Sequence, residues 1–191
     1  THGCGDIIIV NDKSKIDYND VRKRMHAAIS EIYGELEGGK HYMRIRPAII
    51  AEKLLNIDNE SVKYSSSIID YKVWCFKGKP CYIMTCTNRE HNSVELQLYD
   101  TNWNPQSAYI KPSAHYKLGA TIPAPNNLDT MLEHSEVLSK LFPVVRIDFY
   151  DIGGKIYFGE MTFTSLGGLM NYYTDEFQNL AGSLIDVNYK G

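Results

Sequence analysis

The chain has 191 residues, 43% of them hydrophobic and 23% charged, with a net charge of −3. That length is enough for a domain with a buried core. The slightly acidic balance argues against a nucleic-acid binder. No run of 18 apolar residues occurs, so no helical membrane span is expected.

The chain opens on Thr1-His2-Gly3-Cys4-Gly5 and passes into Ile7-Ile8-Ile9-Val10, read as a short buried strand. An opening inside a glycine loop, without Met, reads as an internal fragment with a strand and a further domain upstream. Asp17 is placed to cap a helix over 18–36, with an apolar stripe at Val21, Met25, Ala28, Ile29, Ile32 and Leu36. Gly38-Gly39 should end it. Residues 48–55 read as a buried strand and a connection, and 56–67 as a polar loop.

Residues 69–76 and 81–87 predict strands around the turn Lys77-Gly78-Lys79-Pro80. Residues 94–99 alternate like a further strand. Residues 103–127 hold four of the seven prolines and read as one long loop, which is usually functional or mobile. Residues 128–142 predict an amphipathic helix with Met131, Leu132, Leu138, Leu141 and Phe142 inward. Residues 146–162 predict two strands joined by a Gly-Gly turn, and 174–185 a last helix. The sum is a single α+β domain over 1–191 with an antiparallel-rich sheet. Its helices are expected on one face, leaving the other for a cleft.

The 146–162 hairpin carries one carboxylate on each strand, Asp148 and Glu160. With a loop of 152–154, Glu160 lies opposite Arg146 and diagonal to Asp148 on the same face. Both then reach one hard cation. A two- or four-residue loop would part them to opposite faces. Two acids on a hairpin are more often a solvated face, so the hairpin alone does not decide. If the pair holds a metal, Asp148→Asn should weaken the cation and leave the fold intact.

Other pieces carry weaker signals. Gly3 and Gly5 would let backbone N–H groups face phosphate oxygens, but the Gly-Lys-Ser/Thr ending of a P-loop is missing. The run 49–54 ends in Glu52-Lys53-Leu54, and such a strand end can present backbone groups to an adenine edge. Asp70 and Lys72 share a strand face, and Arg89 follows the next strand. Lys72 and Arg89 could clamp a polyphosphate, although a solvated edge protected by Lys is the plainer reading. Cys4, Cys75, Cys81 and Cys86 form no CxxC pair, which argues against structural zinc and for a reduced setting.

In order, these pieces resemble one family. Thr1-His2-Gly3-Cys4-Gly5, His41-Tyr42, Pro47-Ala48-Ile49-Ile50-Ala51-Glu52, Asp70-Tyr71-Lys72, Tyr99-Asp100-Thr101-Asn102-Trp103-Asn104 and residues 146–164 are similar to the TupA-like ATP-grasp family of bacterial surface-polysaccharide biosynthesis. The resemblance covers essentially the whole chain. It implies a cytoplasmic, ATP- and Mg²⁺-dependent carboxylate–amine ligase working through an acylphosphate on a small molecule or polysaccharide precursor. Gly3 and Gly5 would then lie over the phosphates, and Glu52, Lys53 and Leu54 would meet adenine and ribose. Asp70 would face the nucleotide, Lys72, Arg89 and Arg146 would be catalytic, and Asp148 and Glu160 would hold Mg²⁺.

The chain departs from the family pattern in three places. The strand that usually carries a phosphate-binding Lys would precede Thr1, so the N-terminal part of the fold is expected to be missing. Thr162 stands where an Asn is common as third metal ligand, which suggests a supporting role. Ser165-Leu166-Gly167-Gly168 replaces a proline-containing loop. The alternative reading is a non-catalytic nucleotide- or carbohydrate-binding domain on a degenerate ATP-grasp fold.

Overall fold

The computed structural model describes residues 7–31 and 42–191. The chain divides into two compact units, Thr1–Leu55 and Asn56–Gly191, and each is described by itself.

In the first unit, helix α1 spans Tyr18–Ser30. The Asp17 carboxylate caps it by accepting from the N–H groups of Asn19 (2.9 Å) and Asp20 (3.2 Å), as its position before the helix requires. Val21, Met25, Ala28 and Ile29 are its only half-buried residues, which is the expected stripe. The expected continuation to Leu36 and the Gly38-Gly39 stop lie outside the described residues. Two strand expectations are corrected. Residues 7–10 and 48–55 form no strand, and none of them is fully buried. An apolar run becomes a strand only where another edge completes its hydrogen bonds, and among the described residues of this unit no run pairs with it.

The second unit is a six-stranded sheet of order β4-β3-β2-β1-β5-β6. Its strands are β1 (Asp70–Phe76), β2 (Lys79–Thr87), β3 (Val94–Asp100), β4 (Tyr116–Leu118), β5 (Val144–Ile152) and β6 (Lys155–Thr162). All pairings are antiparallel except β3 with β4. The α+β class and the antiparallel-rich sheet are therefore as expected. The stretch 103–127 is not one featureless loop. It contains β4, whose three residues were too few to show a period.

The β1–β2 turn is Lys77-Gly78 alone, with φ of 49° and 72°, the left-handed pair that suits a two-residue hairpin. Lys79 and Pro80 thus belong to β2. A register shift between Trp74 and Cys75 makes Cys81 the extra residue there.

Both faces of this sheet are covered, which corrects the one-sided helix packing. Trp74, Phe76, Met84, Cys86, Leu96 and Leu98 share a cluster with Phe177 and Ala181 of helix α3 (Asp175–Leu184). Val73, Cys75, Ile83, Val145, Ile147 and Phe149 share the other with Met131 of helix α2 (Leu128–Ser139). The reason lies in the strands. β1 and β5 put Tyr71, Val73, Cys75, Val145, Ile147 and Phe149 on one face, and β1 puts Trp74 and Phe76 on the other, so each face has apolar surface that needs a cover.

Met131, Leu132 and Phe142 pack against the sheet as expected, but beside them helix α2 buries serines that apolar periodicity did not point to. Its buried residues are Met131, Ser135 and Ser139, while Leu138, and Leu141 beyond the helix end, are exposed. The three recur at four-residue spacing and so form one line on the helix. Small serines let the helix approach the strands, and the Ser135 hydroxyl is satisfied by donating to the Met131 carbonyl at 2.7 Å.

Met131→Ala is expected to lower the unfolding free energy by about 2–5 kcal/mol, and Val137→Ala, on the exposed side of the same helix, by less than about 0.5 kcal/mol. Urea unfolding of the two variants checks the assignment. Equal losses would contradict this orientation of α2.

Candidate functional site

The site begins with an irregularity in the β5–β6 hairpin. Gly153 and Gly154 have φ of 59° and 73° and close a two-residue turn, with Ile152 paired to Lys155. By strict alternation that turn would part Asp148 from Glu160. A bulge prevents it. Phe149 pairs with Phe158, then Asp148 pairs with Glu160, leaving Gly159 as the extra residue. A Cβ at Gly159 would stand 3.1 Å from the Asp148 carbonyl oxygen and 3.3 Å from the Tyr150 ring, so the bulge suits glycine. The two carboxylates therefore lie directly opposite on one face. Glu160 faces Asp148 rather than Arg146, and Arg146 faces Thr162.

Three strands and the segment after β2 bring six charges together on the α3 side of the sheet. Lys72 on β1 pairs with Asp148 on β5. Its ammonium donates to Asp148 Oδ2 and stands 2.7 Å from Asp70 Oδ2. Arg146 is the centre of the cluster. Its Nε donates to Asp148 Oδ1 at 2.7 Å and its Nη2 to Asp148 Oδ2 at 2.8 Å, a bidentate pair. The same Nη2 reaches Glu160 Oε1 at 3.1 Å and the Thr162 hydroxyl at 3.0 Å. Thr162 in turn donates to Glu160 Oε1 at 3.0 Å. Arg89, following β2, reaches the oxygen of Asp70 that Lys72 also holds, at 3.4 Å.

Burial differs sharply among the three acids. The side chain of Asp148 is 2% exposed and that of Asp70 11%, whereas Glu160 is 57% exposed. Burial alone would push the Asp148 carboxyl up, but the Arg146 and Lys72 cations outweigh it and hold it below the ordinary value. At Asp70 burial prevails over Lys72, and the carboxyl is raised. Its Oδ1 is buried without a hydrogen-bond partner, which leaves the charge less compensated. Burial also works against the charges of Lys72 and Arg146, yet their acidic neighbours raise both pKa values.

Of the residues singled out from sequence, the structure brings together Asp70, Lys72, Arg89, Arg146, Asp148 and Glu160. Glu52, Lys53 and Leu54 are exposed and in no regular element of the first unit. Gly3 and Gly5 lie outside the described residues. Two partners of Arg146, Ser165 and Trp74, and one residue behind them, Tyr172, went unforeseen. Ser165 accepts from Nη1 at 2.8 Å. The Tyr172 hydroxyl hydrogen-bonds to Ser165 at 3.2 Å. The Trp74 ring centre lies 5.9 Å from the guanidinium carbon, within cation–π range. Trp74 had one available signal: it lies two residues from Lys72 and so on the same face. Ser165 and Tyr172 had none, because the chain returns to Arg146 there only in three dimensions.

The donor set fits a hard divalent cation in kind. Asp148 and Glu160 offer carboxylate oxygens on adjacent strands, and Mg²⁺ is commonly held by one or two such groups together with phosphates. Among the described residues no cluster of three or more His, Cys, Asp or Glu forms a cage independent of substrate. Here both Asp148 oxygens are taken by side-chain cations.

This is an α+β domain whose sheet carries interleaved acids and cations on one face. The family model described as TupA-like ATPgrasp matches residues 1–186, and the chain belongs to that family. An ATP-binding, ligase-type function follows at that level. Comparison with curated proteins and with solved structures finds no match. Among the described residues no helix is long and apolar enough to cross a membrane.

Burial corrects the expectation that Asp148→Asn spares the fold. Asn at 148 leaves Lys72 and Arg146 undercompensated in a buried setting, and a loss of about 3–5 kcal/mol at neutral pH is expected. The Asp148 carboxyl lies below its ordinary 3.8 in the folded protein. The stability it contributes is thus complete above that value and is lost as pH falls through the lowered one. Urea unfolding across an acid pH series should show that limb in the natural chain and a shallower one in Asp148→Asn. An unchanged limb would mean Asp148 is not the titrating group.

Proposed function

We propose that the chain is an ATP- and Mg²⁺-dependent ligase that joins a carboxylate to an amine through an acylphosphate, in the cytoplasmic assembly of a bacterial surface polysaccharide. One observation carries this reading beyond the family assignment. Lys72 and Arg146 meet on Asp148, directly opposite Glu160. Cations suited to phosphate thus alternate with carboxylates suited to a metal on one sheet face.

Phosphoryl transfer asks little covalent chemistry of a protein and much positioning of charge. In this reading Arg146 and Lys72 bind the transferring phosphoryl oxygens. Arg89, with its side chain half exposed, meets the acid or the acylphosphate. Asp148 and Glu160 hold the cation, and Thr162 orients Glu160. Mg²⁺, when bound, neutralises phosphate charge. Asp70 positions Lys72 and Arg89 through the one oxygen they share. The family resemblance assigns Glu52, Lys53 and Leu54 to adenine and ribose, and Gly3 and Gly5, outside the described residues, to the phosphates. The substrate on either side of the bond is a small molecule or a polysaccharide precursor.

Calorimetry with Mg·ATP, followed by ADP release against panels of carboxylic acids and amines, tests the proposal. Acid- and amine-dependent ADP release is expected. Binding without release would favour a non-catalytic nucleotide-binding domain, and sugar binding without nucleotide a carbohydrate-recognition one. Glu160→Gln should leave stability within about 0.5 kcal/mol, since the side chain is exposed. It should weaken Mg·ATP binding roughly tenfold or more, the usual worth of one charged contact. Unchanged affinity would remove Glu160 from the metal site.

A further inference from the structure

We propose that Arg146 and Lys72 form an electrostatic interlock on the metal site, admitting a divalent cation only together with a polyanion that draws these two cations away. The inference rests on the assignment of Asp148 and Glu160 as the metal pair and concerns how that pair is made available.

The geometry is specific. Asp148 has two oxygens, and both are engaged. Oδ1 accepts from Arg146 Nε at 2.7 Å, and Oδ2 accepts from Arg146 Nη2 at 2.8 Å and from Lys72. Glu160 Oε1 accepts from the same Nη2 at 3.1 Å and from the Thr162 hydroxyl. A metal that used these oxygens would have to displace donors already present.

Charge balance opposes the metal as well. Asp70, Asp148 and Glu160 are matched by Lys72, Arg89 and Arg146 within one bonded network. A divalent cation entering this neutral cluster would sit beside two largely buried cations, in surroundings that screen poorly. Triphosphate reverses the balance. It supplies ligands for the metal and partners for Arg146 and Lys72 in the same event. Each of the two ligands then favours binding of the other, and the coupling is reciprocal.

The arrangement also holds Arg146 in place while it waits. Ser165 accepts from Nη1, the face of Trp74 backs the guanidinium, and Tyr172 fixes Ser165. None of these neighbours competes for the metal. Moving the guanidinium away frees Asp148 Oδ1 outright and leaves Oδ2 to Lys72 and Glu160 Oε1 to the Thr162 hydroxyl, which is why both cations must be drawn off.

The probe is Mn²⁺, whose binding to the full chain is read by its electron-spin resonance without any turnover. With the natural chain, Mn²⁺ alone should bind weakly, and ATP should bring it onto the protein tightly. Arg146→Met and Lys72→Gln should each strengthen Mn²⁺ binding without nucleotide. The gain expected is about tenfold, within the usual range for coupled sites. Adding Asp148→Asn to either variant should abolish the gain. The same variants should bind Mg·ATP more weakly, a crossing of signs that general damage to the fold would not produce.

Circular dichroism reports folding. If Arg146→Met does not fold, Lys72→Gln carries the test. Unchanged or weaker Mn²⁺ binding in a folded variant overturns the interlock. So does Mn²⁺ binding to the natural chain that is as tight without ATP as with it. If the natural chain binds no Mg·ATP, the ligase reading fails instead, and the nucleotide-free Mn²⁺ comparison still judges the interlock.

Discussion

One buried guanidinium organises the polar half of this sheet. Arg146 bonds to Asp148 through two nitrogens, to Glu160 and Thr162 through one of them, and to Ser165 through a third. Its side chain is only 9% exposed. A charge so placed must be paired and fully bonded, or the desolvation cost is not offset. That requirement ties together β1, β5, β6 and the segment after β6. Removing Asp148, the acid buried with it, would leave a charge uncompensated, so the buried part of the cluster belongs to the fold.

The hairpin that carries this cluster depends on a single extra residue. Without the bulge at Gly159, the Gly153-Gly154 turn would send Asp148 and Glu160 to opposite faces. The strand is anchored at its far end too. Asp58 accepts from the Gly153 N–H at 2.6 Å and from the Ser61 N–H at 2.7 Å, and these bonds hold its carboxyl below the ordinary value. A structural bulge beside a functional pair is a common way of re-aiming one side chain without disturbing the rest of the ladder.

Fold and site share the same strands but keep separate territories. Along β1, Trp74 and Phe76 enter the α3-side core while Asp70 and Lys72 extend the same face into charge. The opposite face is apolar throughout, from Tyr71 to Cys75. The chemistry therefore stands on a rigid, fully packed platform, with one end of one face left polar. Positioning by a scaffold of this kind is what charge-based catalysis requires.

The sequence alone determined the local elements and most of the cast. Asp17 as a cap, the hairpins around Gly78 and Gly153-Gly154, and Asp70 with Lys72 on one face all follow from rules that act within a few residues. The resemblance supplied the family, because it rests on motifs spread over the whole chain. The register of the carboxylate hairpin was left open, since alternation is blind to one inserted residue. Met131, Leu132 and Phe142 were rightly read as inward, whereas Leu138 and Leu141 were not, because apolar periodicity cannot value the close approach that Ser135 and Ser139 allow. Residues 7–10 and 48–55 looked like strands for the same reason: composition speaks of burial, while pairing depends on a partner. Only the tertiary structure decided these matters. Register, facing and pairing are relations between segments distant in sequence. The buried charges of Arg146 select among them by demanding that every partner, Ser165 included, arrive together.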